Sequence, residues 1–92
     1  ARSLHKWISM NILEQLLENN PDAQYLKADG FDDAVMGECY WSGRLIYSMK
    51  KIHEILMKEG MEEIEAIEHF EYNIGGAWVG DKTPIYLNDL DL

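Results

Sequence analysis

The sequence predicts an α+β fold in one small domain: an N-terminal helix, a β-hairpin, then a two-helix pair and a short extended C-terminal segment. Three observations predict it. Three stretches carry apolar residues at the three-and-four spacing of a helix face, and two short β-prone runs flank a glycine-ended turn. The chain has 92 residues, room for one hydrophobic core and no second domain, because domains cluster at roughly 100 to 150 residues. Apolar side chains make up 47% of it, with three Trp, five Tyr and two Phe, which supplies one modest core and lifts the chain above the hydrophobicity at which charged sequences stay disordered.

Residues 1–9, ARSLHKWIS, hold two of the eight basic residues, one of three His and no acid, and their pattern differs from everything that follows. They are expected to be a vector-encoded leader with Met10 as the native start. The alternative is a native N-terminal turn that packs Trp7 and Ile8 on the domain. Residues 10–92 form the domain. From 10 to 19, Ile12, Leu13, Leu16 and Leu17 line one face with Glu14 and Glu18 opposite, which predicts the first helix. Asn19-Asn20-Pro21-Asp22 ends it, since proline biases its predecessor out of the helical region. Residues 21–26 are expected to make a short helical turn, and Asp29-Gly30 a break.

Asp32 and Asp33 lead into a predicted hairpin, with strands over 34–40 and 44–47 and a three-residue loop, Trp41-Ser42-Gly43. Ser48 suits the N-cap of a second helix whose apolar face is Met49, Ile52, Ile55 and Leu56. That helix should stop near Glu59, with Gly60 as its left-handed C-terminal residue. The third helix starts at once, with Ile64, Ile67, Phe70 and Ile74 in rhythm and Ala66 beside them, and ends at Gly75-Gly76. So short a connection makes the two helices antiparallel or steeply crossed. Residues 83–87 form an edge segment in which Pro84 is tolerated, and the acidic residues 88–92 are expected to fray.

Seventeen acidic against eight basic side chains give a net charge of −9. Affinity for nucleic acid comes largely from Lys and Arg displacing counterions, so direct DNA or RNA binding is not expected. An acidic surface steers instead toward basic surfaces of other proteins, although solubility alone also explains such a charge. The single Cys39 cannot form an internal disulfide, which points to a reducing, cytoplasmic compartment. Neither a signal-peptide pattern nor an apolar run of membrane-spanning length is present in the sequence.

Catalytic chemistry finds little support. The segment 75–83, GGAWVGDKT, approaches the phosphate-loop pattern, but Asp81 puts a negative charge where phosphate would sit, a helix precedes it, and no helix follows. Two histidines, His53 and His69, with Glu65 one turn before the latter, lack a third ligand at diagnostic spacing and are expected at a helix surface or cap, with no metal or other cofactor. Adjacent Asp32 and Asp33 are expected to be solvated rather than an acid–base pair. Cys39 lies in a strand pattern without a nearby base and is expected to be buried and inert. The feature left over is the run Glu62, Glu63, Glu65, Glu68 and Glu71. Like charges three residues apart repel by a few tenths of a kcal/mol per pair, and Glu68 and Glu71 lie too late in the helix to gain from its dipole.

Asp32-Asp33-Ala34 with Gly37, Leu45 to Ser48 (LIYS), Ile55-Leu56-Met57, Gly60-Met61-Glu62-Glu63, Glu65-Ala66, and the closing pattern YNIGGAWVG followed by Thr83-Pro84-Ile85 together resemble a family of small uncharacterised proteins encoded by bacteriophages and prophages. The resemblance runs from about Met10 to Tyr86. It implies a phage origin and a place in the host cytoplasm, has no assigned enzymatic activity to carry over and leaves function open; Met61 stands where such relatives have a small residue capping the third helix. The expected function is that of a phage accessory protein, not an enzyme, that binds and inhibits or redirects a basic host protein. Glu62, Glu65, Glu68 and Glu71 form the binding stripe, acting as a mimic of a phosphate backbone toward a defence or nucleic-acid-binding protein. The alternative is a structural, self-associating phage assembly protein, such as a homodimer, joined through an apolar patch of Trp78 and Val79 with Trp41 and Tyr86.

Overall fold

A computed structural model describes residues 11–92 of the chain. The expected leader, residues 1–9 with Trp7 and Ile8, lies outside them, as does Met10. Helix α1 spans Ile12–Asn19 and is capped by Asn11, whose side-chain oxygen accepts the Glu14 N–H at 2.8 Å. A three-residue 3₁₀ turn, Asp32–Ala34, precedes strand β1 (Val35–Glu38). Strand β2 (Leu45–Ser48) runs directly into helix α2 (Met49–Lys58). Helix α3 (Glu63–Phe70) continues into a π-helical turn, Glu71–Gly75, and strand β3 (Ile85–Leu87) closes the order. The α+β class and the sequence of elements are therefore those predicted.

The sheet has the order β1-β2-β3, with β2 antiparallel to β1 and parallel to β3. A parallel neighbour needs a crossover rather than a hairpin, and the helix pair is that crossover. Register shifts between Val35 and Gly37: Val35 pairs with Tyr47 and Gly37 with Ile46. The bulge leaves Met36 unpaired and exposed while Val35 stays in the core. The first strand is shorter than predicted, the second keeps its length one residue further along, and the loop has four residues, 40–43. Cys39 and Arg44 close its neck with the Cys39 N–H donating to Arg44 O at 2.8 Å.

Ser48 caps α2 by accepting the Lys51 N–H at 3.0 Å. At the other end Gly60, at φ +107°, donates to Met57 O at 3.0 Å, and Met61 N–H reaches Leu56 O at 3.3 Å. Those two bonds satisfy carbonyls that the helix end would otherwise leave orphaned, and the positive φ is why glycine stands there. The same turn reverses the chain into α3.

The core comprises Leu13 of α1, Phe31 and Ala34, Val35, Leu45 and Tyr47 of the sheet, Ile52 and Leu56 of α2, and Ala66, Phe70 and Ile74 beyond it. Phe70 is its hub on the helical side, meeting Tyr86 edge-on at 5.3 Å and His53 at 5.6 Å between ring centroids. A Cβ on Gly75 would lie 2.7 Å from the Phe70 ring, so only glycine lets the π-turn close over it.

Four expectations fail for physical reasons. Residues 21–26 form no helical turn: after the turn at Pro21 and Asp22 the chain is irregular, held where the Ala28 N–H donates to the buried Tyr47 hydroxyl at 2.8 Å. Ile64 is 65% exposed, because a spacing of three drifts about 60° per step round a helix of 3.6 residues per turn, whereas Ala66 and Phe70, four apart, stay aligned. His53 is not at the surface. It stands four residues after Met49 and three before Leu56, on the stripe that α2 buries, and its Nε2 has no hydrogen-bond partner.

The fourth is the C-terminal tail, which is anchored rather than frayed. Asp89 is buried; its carboxylate accepts the Ser48 hydroxyl at 2.5 Å and the Lys50 N–H at 2.9 Å, while Lys50 Nζ reaches Leu92 O at 2.6 Å. Two of the orphan N–H groups at the start of α2 thus find acceptors, one on Ser48 and one on Asp89. Burial by itself raises the Asp89 pKa, but the hydrogen bonds from Ser48 and the Lys50 backbone, with the Lys50 charge, outweigh it and hold the carboxyl below its ordinary 3.8.

Two outcomes check this core and its clamp. Phe70→Ala is expected to cost about 3–5 kcal/mol in a denaturant melt, the range for emptying a buried aromatic site. Because the folded-state pKa of Asp89 lies below its unfolded value, its ionic contribution is complete above that unfolded value and disappears as pH falls through the folded one. Asp89→Ala should therefore lose about 1 kcal/mol at neutral pH, as a lost helix cap does, and flatten the acid limb of a pH–stability curve; an unchanged acid limb refutes the clamp.

Candidate functional site

The four glutamates of the expected stripe, Glu62, Glu65, Glu68 and Glu71, are exposed, as is Glu63 beside them, but they are not equivalent. Glu62 is the N-cap of α3, and its backbone N–H donates to Glu65 Oε1 at 3.2 Å. Glu65 therefore serves the helix start, a folding role the sequence reading did not assign to it, and Glu63 lies in the favourable first turn. The carboxylates of Glu68 and Glu71 have neither a hydrogen bond nor an ion pair among the described residues. Taking Ala66 and Phe70 as the buried side, about 100° per residue puts Glu68 on the opposite side of the helix, with Glu65 next to it. Met61, Glu65, Glu68, His69, Tyr72 and Asn73 surround a shallow depression of about 290 Å³. Two exposed apolar groups, Ile64 and Tyr72, belong to the same outer surface, so the face is acidic without being uniformly polar.

The π-turn leads from this depression to a second one. Buried Phe31, Ile74 and Pro84, with half-buried Tyr86, line a cleft of about 240 Å³, and exposed Ala77 and Val79 line it too. Lys27 and Asp29 are at its edge, and Asn73 borders both it and the acidic depression. The apolar patch expected from sequence is thereby divided. Val79 and Tyr86 share the cleft, although Tyr86 is largely a core residue, packed on Phe70 and tilted against Tyr47 at 5.9 Å. Its hydroxyl titrates above the ordinary 10.0 because burial disfavours the phenolate.

Trp41 and Trp78 lie outside that cleft, 89% and 68% exposed. The hairpin tip and the loop that carries Trp78 are laced together. Lys82 Nζ donates to Ser42 O at 2.8 Å, the Arg44 side chain donates to Thr83 O, and the Arg44 guanidinium stands 5.8 Å from the centre of the Trp78 ring. Thr83 closes its own turn, donating to Gly80 O at 2.6 Å and accepting the Val79 N–H at 2.9 Å. The phosphate-loop geometry is absent here: a π-turn precedes this segment and a strand follows it.

Among the described residues no group of three or more His, Cys, Asp and Glu stands close enough to hold a metal ion. His53 and His69 do not form a pair: the first is buried against Phe70, and the second has Asn73 Nδ2 at 3.4 Å from its Nδ1. Asp32 and Asp33 are exposed, and Asp33 accepts from Asn11 at 3.2 Å.

Cys39 departs from expectation. Its thiol is half-exposed at the neck of the hairpin, because the strand ends at Glu38 and the residue enters the turn. The Ser42 side chain, followed by the backbone groups of Ser42 and Trp41, hydrogen-bonds the sulfur and lowers its pKa below 9.0, with the Arg44 charge assisting. No family model matches the chain, and neither a curated protein nor a solved structure shows a significant match to it.

Native protein is accordingly expected to react with a thiol reagent at a rate comparable to free cysteine, with a pH–rate midpoint below 9.0 that rises in Ser42→Ala. Reaction only after unfolding would show that the neck shields the thiol.

Proposed function

We propose that this chain is a binding protein whose outer α3 face docks a basic surface of a partner protein. Supporting it is the pairing of unsatisfied charge with shape: Glu68 and Glu71 have no partner within the described residues, and Glu65 and Glu68 border a depression that can receive a Lys or Arg side chain. At −9 overall the approach of a basic partner is favoured at long range, and the contact is sensitive to salt. With the resemblance to small phage proteins, the reading extends to a phage accessory protein that inhibits or redirects a basic host protein in the host cytoplasm, without catalysis of its own. Imitation of a nucleic-acid backbone toward a defence protein is one form of it.

A specific observation favours one alternative. Trp41, Trp78 and Val79 are exposed at linked loops, which suits a self-associating assembly protein, although a net charge of −9 opposes close approach of two copies.

The triple change Glu65→Gln, Glu68→Gln and Glu71→Gln separates them. Stability should hold or rise slightly, since Gln at 65 still accepts the N-cap N–H and like-charge repulsion is relieved. Capture of a basic partner should weaken, with a flatter dependence on salt. Retained capture with an unchanged salt slope returns the stripe to a solvated surface, and a concentration-dependent dimer abolished by Trp78→Ala favours self-association.

A further inference from the structure

We propose that the cleft beside the acidic face receives one large apolar side chain of the partner, so that the recognised element is a segment carrying an aromatic residue flanked by Lys or Arg. This rests on the proposed acidic docking face and adds to it the second half of the contact.

Size fixes the first part. The cleft, at about 240 Å³, falls below the range of roughly 300–1,000 Å³ typical of small-molecule sites, and is suited to a single side chain. Its lining by Phe31, Ile74, Pro84 and Tyr86 is aromatic and aliphatic, the kind of pocket that anchors an interface through one buried aromatic residue. Charge and position fix the second part. Asn73 borders both the cleft and the depression at Glu65 and Glu68, so an apolar anchor and a basic neighbour would lie side by side. Lys27 and Asp29, one of each sign, add no net formal charge to the cleft lining.

The backbone that joins the two depressions is the π-turn Glu71–Gly75, a form that occurs mostly as single turns and often at functional sites. Within it Ile74 is buried while Tyr72, 83% exposed, stays with the acidic face.

The test uses two capped pentapeptides, Lys-Lys-Trp-Lys-Lys and Lys-Lys-Ala-Lys-Lys, titrated into the whole chain at low salt with amide shifts followed by NMR. The tryptophan peptide should bind at least about 10-fold more tightly, and shift Asn73, Ile74, Val79 and Tyr86 together with Glu68. Ala77→Trp, a change at an exposed residue that fills the cleft, should erase the preference and leave the weaker, salt-sensitive binding of the alanine peptide. Glu68→Gln with Glu71→Gln should weaken both peptides alike. Equal affinity for the two peptides overturns the cleft and leaves the acidic face standing. A tryptophan preference whose shifts map to Trp41 or Trp78, or that survives Ala77→Trp in a variant with an unaltered fold, overturns it as well. Binding of neither peptide removes the acidic docking face and the cleft together.

Discussion

Strand β2 is hydrogen-bonded on both edges and leaves Leu45, Tyr47 and Ser48 at 1% exposure or less, and the other elements stand where that desolvation requires them. A strand of four residues cannot hide itself. The hairpin covers one edge, and the other is covered only after the chain has crossed through two helices and returned as β3. The polar groups that β2 carries inward must also be satisfied, since an unpaired buried hydroxyl costs on the order of 1–3 kcal/mol. Tyr47 meets this by accepting from Ala28, which fixes the irregular segment after α1, and Ser48 by joining the start of α2 to Asp89.

Function, on the reading developed above, depends on the same crossover. Helix α3 turns its small and aromatic residues, Ala66 and Phe70, to the core, and its outer side is left with acids that form no ion pair among the described residues. Part of that acidity belongs to folding, because Glu62 and Glu65 complete the helix start and Glu63 suits its dipole. The part without a folding role is Glu68 and Glu71, and it continues into a π-turn beside which an apolar cleft opens. Acidic face and cleft are consecutive along the chain, with Phe70 and Ile74 both buried where the helix passes into the π-turn.

The hairpin tip and the loop 78–83 are tied through Arg44 and Lys82, two of the few cations of an acidic chain. Both spend their hydrogen bonds on backbone carbonyls, and Arg44 also faces the Trp78 ring.

Local chemistry was legible in the sequence. Ser48 as a helix cap, Gly60 as a left-handed stop, the hairpin about Gly43, and the helix pair each follow from residue types whose preferences act within a few positions. So was the acidic stripe as a surface, since charge of that density is not buried. What needed tertiary structure was every choice between two permitted faces or between distant partners. Ile64 and Ala66 offered competing helix stripes, and the fold buries Ala66 and leaves Ile64 exposed; His53 became a core residue packed edge-on against Phe70. Asp89 looked like a frayed acid until β2 and α2 presented donors 41 and 39 residues away. Cys39 looked buried, but the strand stops at Glu38, two residues short of its predicted end. The cleft joins residues 27–31 with 73–86, and the parallel pairing of β3 joins it to β2 across the helices; neither has a sequence signature, because contacts closed across long stretches of chain are set by which surfaces must leave water and not by local preference.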